Sequence, residues 1–265
     1  KKLCSLLGGE KKPINTLVPP LTLNYSGASE ITFDPRQALE LYKESLEEEG
    51  LTKLSLDYLY PSSELNPKLS WEVGPLATFR ILEFCKEKKI KNFIFASSGS
   101  VYGISKKKKV DENTKLMPIS DYNKQKMVVE KLIENYSKLF RTVIVRPATV
   151  CGYSPRLRLD LSVNLLTYNA YKNKIINIFG GNQIRPNIHI DDMVSLYYFL
   201  LVKQDLNGTF NAGFENLSIK RIAGMIKKHI RCKLKILKSN DPRSYRLDSS
   251  KLLSTGFKPK KNVDV

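Results

Sequence analysis

From residue 91 onward, short runs of β-branched and aromatic residues alternate with longer stretches whose apolar positions recur at helical spacing. Lys91 to Phe95 reads as a buried strand entering a Ser/Gly turn, which exposes Ser97 and Ser98 at its C-terminal end. Ile119-Ser120-Asp121 marks a helix start, and Met127, Val128, Leu132, Ile133, Tyr136 and Phe140 carry the helical period up to Arg141. Further strands are expected at Thr142 to Arg146, Ile175 to Ile178 and Thr209 to Ala212, with helices at Leu159 to Lys172, Asp191 to Lys203 and Ile219 to Ile230. Nearer the N-terminus, Lys2 to Leu7 reads as a first strand and Leu54 to Tyr60 as a third. Helices are expected from Arg36 to Glu49, between Asp34-Pro35 and Gly50, and from Lys68 to Lys89 with a kink at Pro75. Such alternation means a mostly parallel sheet in an α/β protein. No internal repeat or low-complexity linker interrupts it.

A chain of 265 residues with 42% hydrophobic content can bury a substantial core. No apolar run reaches membrane-spanning length, and Val194 to Val202 is a short amphipathic helix core. The Lys-rich opening lacks the long apolar stretch and cleavage site of a secretory signal. Cys4, Cys85, Cys151 and Cys232 show no metal-like spacing and are expected as buried thiols in a reducing cytosol. The formal charge of +18 would suit nucleic acid or a membrane surface. Yet its lysines are spread through Lys43, Lys86, Lys88, Lys172, Lys227 and Lys260 rather than gathered around stacking aromatics, so nucleic acid is not the expected partner. Lys106 to Lys109 is the one dense run; a solvated loop is its first reading, and steering of an anionic ligand its second.

The chemistry is concentrated in Phe95-Ala-Ser-Ser-Gly-Ser-Val-Tyr-Gly103 and Tyr122-Asn-Lys-Gln-Lys126. The first stretch places Ser98 at a strand end, the edge of an open α/β sheet where ligands sit. In the second, Tyr122 and Lys126 lie on one face of the first helical turns. A cation beside a phenol favours the phenolate, so Lys126 is expected to lower the Tyr122 pKa and let it take a proton from an alcohol that Ser98 holds. In a chain this rich in lysine, the Tyr-x-x-x-Lys spacing also arises by chance about once or twice. Tyr168 and Lys172 share it without a Ser-rich strand end, and Tyr168 is expected to pack a helix face.

With these residues in view, the chain resembles the extended short-chain dehydrogenase/reductase family, in particular its nucleotide-sugar epimerases and dehydratases, from about Asn66 to Lys260. The resemblance rests on five ordered blocks: Ser97 to Gly103, Tyr122 with Lys126, Arg146 to Gly152, Phe179 to Asp192, and Asp241 to Lys251. It implies a Rossmann-like, doubly wound parallel sheet binding NAD, with NADP as the alternative, and a small C-terminal α/β lobe binding a nucleoside-diphosphate sugar. The implied division is a cofactor domain over 1–150, to which 186–213 return, and a substrate lobe over 151–185 and 214–265. Catalysis falls to Ser98, Tyr122 and Lys126, and cofactor contacts to Gly8, Gly9, Ala96, Ser97, Tyr122, Lys126 and Pro147. Substrate contacts fall to Ser98, Ser100, Thr149, Asn164, Arg185 and Arg243, the two arginines gripping the diphosphate. His189 is expected to be structural, at a helix start, and no metal is implied. A cytoplasmic homodimer completes the picture.

The chain departs from the family pattern mostly near its N-terminus. Gly8-Gly9 would begin a dinucleotide loop, but Glu10, Lys11, Lys12 and Pro13 come next in place of further glycines. Tyr58-Leu59-Tyr60-Pro61 and Gly74-Pro75 replace the family's usual small, His and Asn residues. Because everything beyond about Leu76 fits an intact enzyme, an incomplete N-terminal region is expected rather than a decayed one, and the segment after Pro259 is expected to be short of a final helix. Dehydratases of the family carry acidic residues directly after the catalytic hydroxyl, where this chain has Gly99 and Ser100, so elimination is disfavoured. The expected reaction is epimerisation, at C4 of the sugar, through a transient 4-keto sugar. A nucleotide-sugar 4-ketoreductase or dehydrogenase, or a non-catalytic nucleotide- or RNA-binding member of the fold, are the alternatives.

Overall fold

The computed structural model describes residues 67–264 apart from 106, 108, 155–156 and 240–243. The expectations at Lys2 to Leu7, Gly8-Gly9, Arg36 to Glu49, Leu54 to Tyr60, Cys4 and Arg243 lie outside these residues. The chain divides between Val73 and Gly74, and residues 67–73 are the described part of its first unit. They hold helix α1, Pro67–Trp71, and the start of a π turn, Glu72–Leu76, which contains Pro75. Proline has no N–H to continue an α-helical ladder, and the regular helix α2 resumes only at Ala77–Glu87.

Strand β2, Arg141–Pro147, is the middle strand of the parallel sheet, and its Val143, Ile144 and Val145 are all buried. It pairs in parallel with β1, Asn92–Ala96, and with β6, Gly208–Ala212. Successive side chains of a strand point to opposite faces. Accordingly, Ile144 packs with Leu82 of α2 and with Val129 and Ile133 of α3, Asp121–Tyr136. Val143 and Val145 enter a separate cluster with Tyr102, Phe210, Leu196 and Leu200. A sheet buried on both faces needs near-continuous apolar strands, and β2 has one.

The remaining elements form a second α/β group. Strand β3, Thr149–Cys151, runs parallel to β5, Ile184–His189, and β5 is antiparallel to β7, Glu215–Ser218. Strand β4, Ile175–Phe179, pairs in parallel with β8, Lys233–Leu237. Their core joins Val163, Leu166 and Ala170 of α4, Ser162–Asn173, to Ile222, Ala223 and Ile226 of α6, Ile219–His229. Helix α5, Ile190–Val202, leads from β5 back to the parallel sheet, where Leu196 and Leu200 are buried, and α7, Ser250–Ser254, adds Leu252 to the same cluster. The molecule is thus an α/β fold with a parallel Rossmann-like sheet and additional C-terminal α/β elements. Among the described residues no helix is long and apolar enough to cross a membrane, and no group of three or more His, Cys, Asp or Glu is placed to hold a metal.

Two expectations need correction. Helix α3 ends at Tyr136 rather than Arg141; Phe140 continues the apolar period only because the next turn folds it onto Phe93 and Tyr136, with ring centres 6.5 and 5.9 Å away. Tyr168 lies on the outer side of α4, 42% exposed, and does not pack as expected.

Candidate active site

Strand β1 ends at Ala96, but Ser97 extends its pairing by donating its N–H to Val145 O at 2.8 Å. Ser98 keeps an extended backbone and caps the 3-10 turn Gly99–Tyr102, its Oγ accepting the Ser100 N–H at 3.2 Å. This turn is where the strand stops, so the Ser98 side chain stands at the C-terminal edge of the parallel sheet. Helix α3 starts nearby because the Ser120 hydroxyl accepts the Asn123 N–H at 3.3 Å, a side-chain N-cap. Tyr122 then falls in the first turn and Lys126 in the second.

The structure brings Ser98, Tyr122 and Lys126 together. Tyr122 and Ser98 share a side-chain hydrogen bond. Lys126 Nζ donates to Ala96 O at 2.7 Å and sits 4.6 Å from the centre of the Phe95 ring and 5.7 Å from that of Tyr122. Burial pushes the Lys126 ammonium down to about 7, with the Glu130 carboxylate offsetting part of the effect. Burial likewise raises the Tyr122 phenol above its ordinary range, and the charge of Arg158 draws it part of the way back. Sequence reasoning gives that lowering role to Lys126, and the structure gives it to Arg158, whose position depends on the loop before α4.

Behind these residues lies a buried polar cluster that sequence reasoning missed. Arg146 Nη2 donates to Glu130 Oε2 at 2.6 Å and Nε to Glu130 Oε1 at 3.0 Å, while the Ser97 hydroxyl donates to the same carboxylate. Arg146 Nη1 donates to Tyr102 Oη at 2.8 Å, and Tyr102 in turn donates to Asn211 Oδ1 at 2.7 Å. The one signal in the sequence is Glu130 four residues after Lys126, on the helix face shared by the apolar Val129 and Ile133.

A cleft of about 380 Å³ opens among the C-terminal elements, lined by Thr149, Arg185, Leu165, Leu166 and Phe179 among others. Asn164 spends its amide elsewhere: its Oδ1 accepts the Gly152 N–H at 3.2 Å and its Nδ2 donates to Arg158 O at 3.1 Å. Ser100 donates to Asn123 Oδ1 at 2.6 Å. Pro147 ends β2 beside the Ser98 turn, and a Cβ added at Gly99 would lie 3.1 Å from its carbonyl oxygen. His189 caps α5, its Nδ1 accepting the Asp191 N–H at 3.2 Å. In the lysine-rich loop, Lys109 pairs with Asp248 at 2.8 Å. Cys85, Cys151 and Cys232 are buried free thiols.

Comparison with known proteins agrees with this arrangement. A 151-residue segment is 38% identical to a protein of Bacillus subtilis described as an uncharacterized UDP-glucose epimerase, YtcB, covering 56% of this chain and 48% of that one. A putative UDP-glucose 4-epimerase of Methanocaldococcus jannaschii is 30% identical over 203 residues, 73% of this chain and 66% of its own. The chain therefore spans about half to two thirds of the length of these curated relatives. The crystal structure of UDP-glucuronic acid 4-epimerase from Bacillus cereus, in complex with NAD, superposes with a TM-score of 0.63 at 31% identity, covering 71% of this chain and 63% of that one. The profile of the NAD dependent epimerase/dehydratase family matches residues 58–213, more than half of the sequence, and with it the chain belongs to that family.

Proposed function

We propose that the chain is an NAD-dependent nucleoside-diphosphate-sugar 4-epimerase that works through a transient 4-keto sugar. The observation that carries this reading is the meeting of Ser98, Tyr122 and Lys126 at the C-terminal end of β1. Tyr122, as phenolate, takes the proton of the C4 hydroxyl, and Ser98 holds the same oxygen by a hydrogen bond. The keto sugar then turns its other face toward the site, and Tyr122 gives the proton back.

The described residues fit the nicotinamide half of the cofactor. A buried ammonium and a phenol stand beside the ends of parallel strands, a donor set suited to ribose hydroxyls. Lys126 and Tyr122 would hold that ribose, with the backbone of Ala96, Ser97 and Pro147 along the strand ends; the Ser97 hydroxyl itself is committed to Glu130. NAD bound there supplies an acceptor for the hydride leaving C4 and a donor for its return. Gly8 and Gly9 would begin the pyrophosphate loop.

The cleft beside Thr149 suits the nucleotide. Its apolar wall, Leu165, Leu166 and Phe179, can cover a base, and Arg185 supplies a planar multi-donor cation for a diphosphate. Arg243 is assigned to the same diphosphate and Ser100 to the sugar, while Asn164 shapes the loop that carries Arg158. Elimination is disfavoured because Gly99 and Ser100, which stand where the family's dehydratases carry acidic residues, cannot act as acid and base. Relatives support the substrate class: the Bacillus cereus enzyme is also described with UDP-glucuronic acid and NAD together, at 30% identity. The proposal includes a cofactor domain of 1–150 with 186–213, a substrate lobe of 151–185 and 214–265, and a homodimer in the cytoplasm without a nucleic-acid partner.

The test is to incubate the purified protein with a panel of nucleoside-diphosphate hexoses in D₂O. The expected product is the C4 epimer without solvent deuterium, since hydride leaves and returns within the site. Net consumption of added NADH would mean a ketoreductase. Absence of turnover together with absence of bound dinucleotide by mass spectrometry would mean a non-catalytic member of the fold.

A further inference from the structure

The Ser98 hydroxyl belongs to a chain whose hydrogens are fixed by donor chemistry. Ser100 Oγ lies 2.6 Å from Asn123 Oδ1, and an amide oxygen only accepts, so Ser100 donates. Its single hydrogen is then spent. The 2.7 Å contact between Ser98 Oγ and Ser100 Oγ must therefore be made by Ser98 donating. Ser98 Oγ also accepts the Ser100 N–H at 3.2 Å. What Ser98 presents to Tyr122 is a lone pair, and the phenol donates to it. A hydrogen bond from Ser98 can favour the phenolate only when the Ser98 proton points at Tyr122, and here that proton faces Ser100.

We propose that Asn123 is a positioning residue that sets the polarity of this hydroxyl chain, and that turning its amide to present Nδ2 reverses the chain so that Ser98 donates into the site. The backbone of Asn123 is fixed by the Ser120 cap, whereas its amide offers an acceptor at one end and donors at the other. Ser100 can meet either end at the same position. The two polarities match the two forms of the reacting oxygen, since an alcohol has a hydrogen to give and a ketone can only accept. This use of the chain rests on the proposed proton transfer at Tyr122; the polarity itself does not.

The test titrates Tyr122 in the full-length protein, read as the tyrosinate absorbance that disappears in Tyr122→Phe. Among the described residues, Arg158 and Lys126 are the charges facing Tyr122, with Glu130 and Arg146 behind Lys126. Ser100→Ala and Asn123→Ala alter none of these. Ser100→Ala frees the Ser98 hydrogen for the phenolate and should lower the Tyr122 pKa by about one unit, a tenfold shift in ionisation. Asn123→Ala frees the Ser100 hydrogen and should act in the same direction. Asn123→Asp, an acceptor at both oxygens, should leave the pKa at or above the parent value, and adding Ser100→Ala to it should lower the pKa again. Unchanged values in Ser100→Ala and Asn123→Ala, or no lowering when Ser100→Ala is added to Asn123→Asp, would overturn the proposal. The titration needs no substrate: this ordering in a protein that turns over no nucleotide sugar would keep the chain and defeat the proposed function, and turnover without the ordering would do the reverse.

Discussion

Glu130 and Arg146 form an ion pair at 2.6 Å with side chains only 1% and 6% exposed, directly behind the candidate site. Glu130 lies one helical turn beyond Lys126 and also receives the Ser97 hydroxyl, so one carboxylate ties the helix of Tyr122 to the two strands that end at the site. Two charges so deeply buried are tolerable only because their hydrogen bonds are satisfied.

Removing one partner leaves the other charged and unpaired in the interior. Glu130→Met or Arg146→Met should therefore cost about 3–5 kcal/mol of stability, whereas the double replacement by both should cost less than the sum of the two. Urea unfolding of the four proteins measures this, and a strictly additive result would mean that the pair is not coupled.

The depressed pKa of Lys126 has a definite pH signature. Burial holds it near about 7 in the folded protein, against about 10.4 in an unfolded chain. Between those values the unfolded state binds the extra proton, so this residue makes stability rise as pH rises from about 7 toward 10, and its full cost is present below that range. Lys126→Met should flatten the slope. Equal slopes in parent and variant, from unfolding at about pH 7 and about pH 9.5, would contradict the assignment.

The elements with an unbroken apolar run or a clean helical period were legible in the sequence. Strands β1, β2, β4 and β6 and helices α3 to α6 fall on the expected segments, with shifts at some ends. Strand β5 escaped notice because Pro186 sits inside it, and β3 because three residues carry no period. The last strand, Lys233-Leu-Lys-Ile-Leu237, alternates in a readable way, but most of its side chains are exposed, so no apolar run announces it. At the site, the meeting of Ser98, Tyr122 and Lys126 could be anticipated from spacing. The burial of Glu130 and Arg146 was marked only by the apolar Val129 and Ile133 on the Glu130 helix face, since a charge in a sequence carries no mark of depth. The influence of Arg158 on Tyr122 depends on a loop that no local period describes.

Gly103, within the Ser97 to Gly103 block, has φ +61°, and a Cβ there would come within 1.8 Å of Met117 O. Both the left-handed backbone and the clash oppose any side chain. Gly103→Ala should lose at least about 2 kcal/mol, seen as a reduced melting temperature. A melting temperature equal to that of the parent would show that this turn relaxes freely.

Arg185 lines the cleft assigned to the nucleotide. Arg185→Met should weaken binding of a nucleoside diphosphate, measured by calorimetry, by about 1.5–3 kcal/mol, the worth of a charge-assisted hydrogen bond. Lys109→Met, in the loop already paired with Asp248, should change that affinity much less. The opposite ranking would move the anion site to the lysine-rich loop.

The proton transfer at Tyr122 is the centre of the account, and Tyr122→Phe tests it most directly because it deletes the phenol and keeps the ring. If, as proposed, the parent epimerises a nucleoside-diphosphate hexose, turnover of that substrate by Tyr122→Phe should fall by about 10²–10⁴. Tyr168→Phe, which shares the Tyr-x-x-x-Lys spacing but lies exposed on α4, should keep the parent rate. If Tyr122→Phe turns the substrate over as fast as the parent, Tyr122 is not the acid/base and the mechanism is wrong.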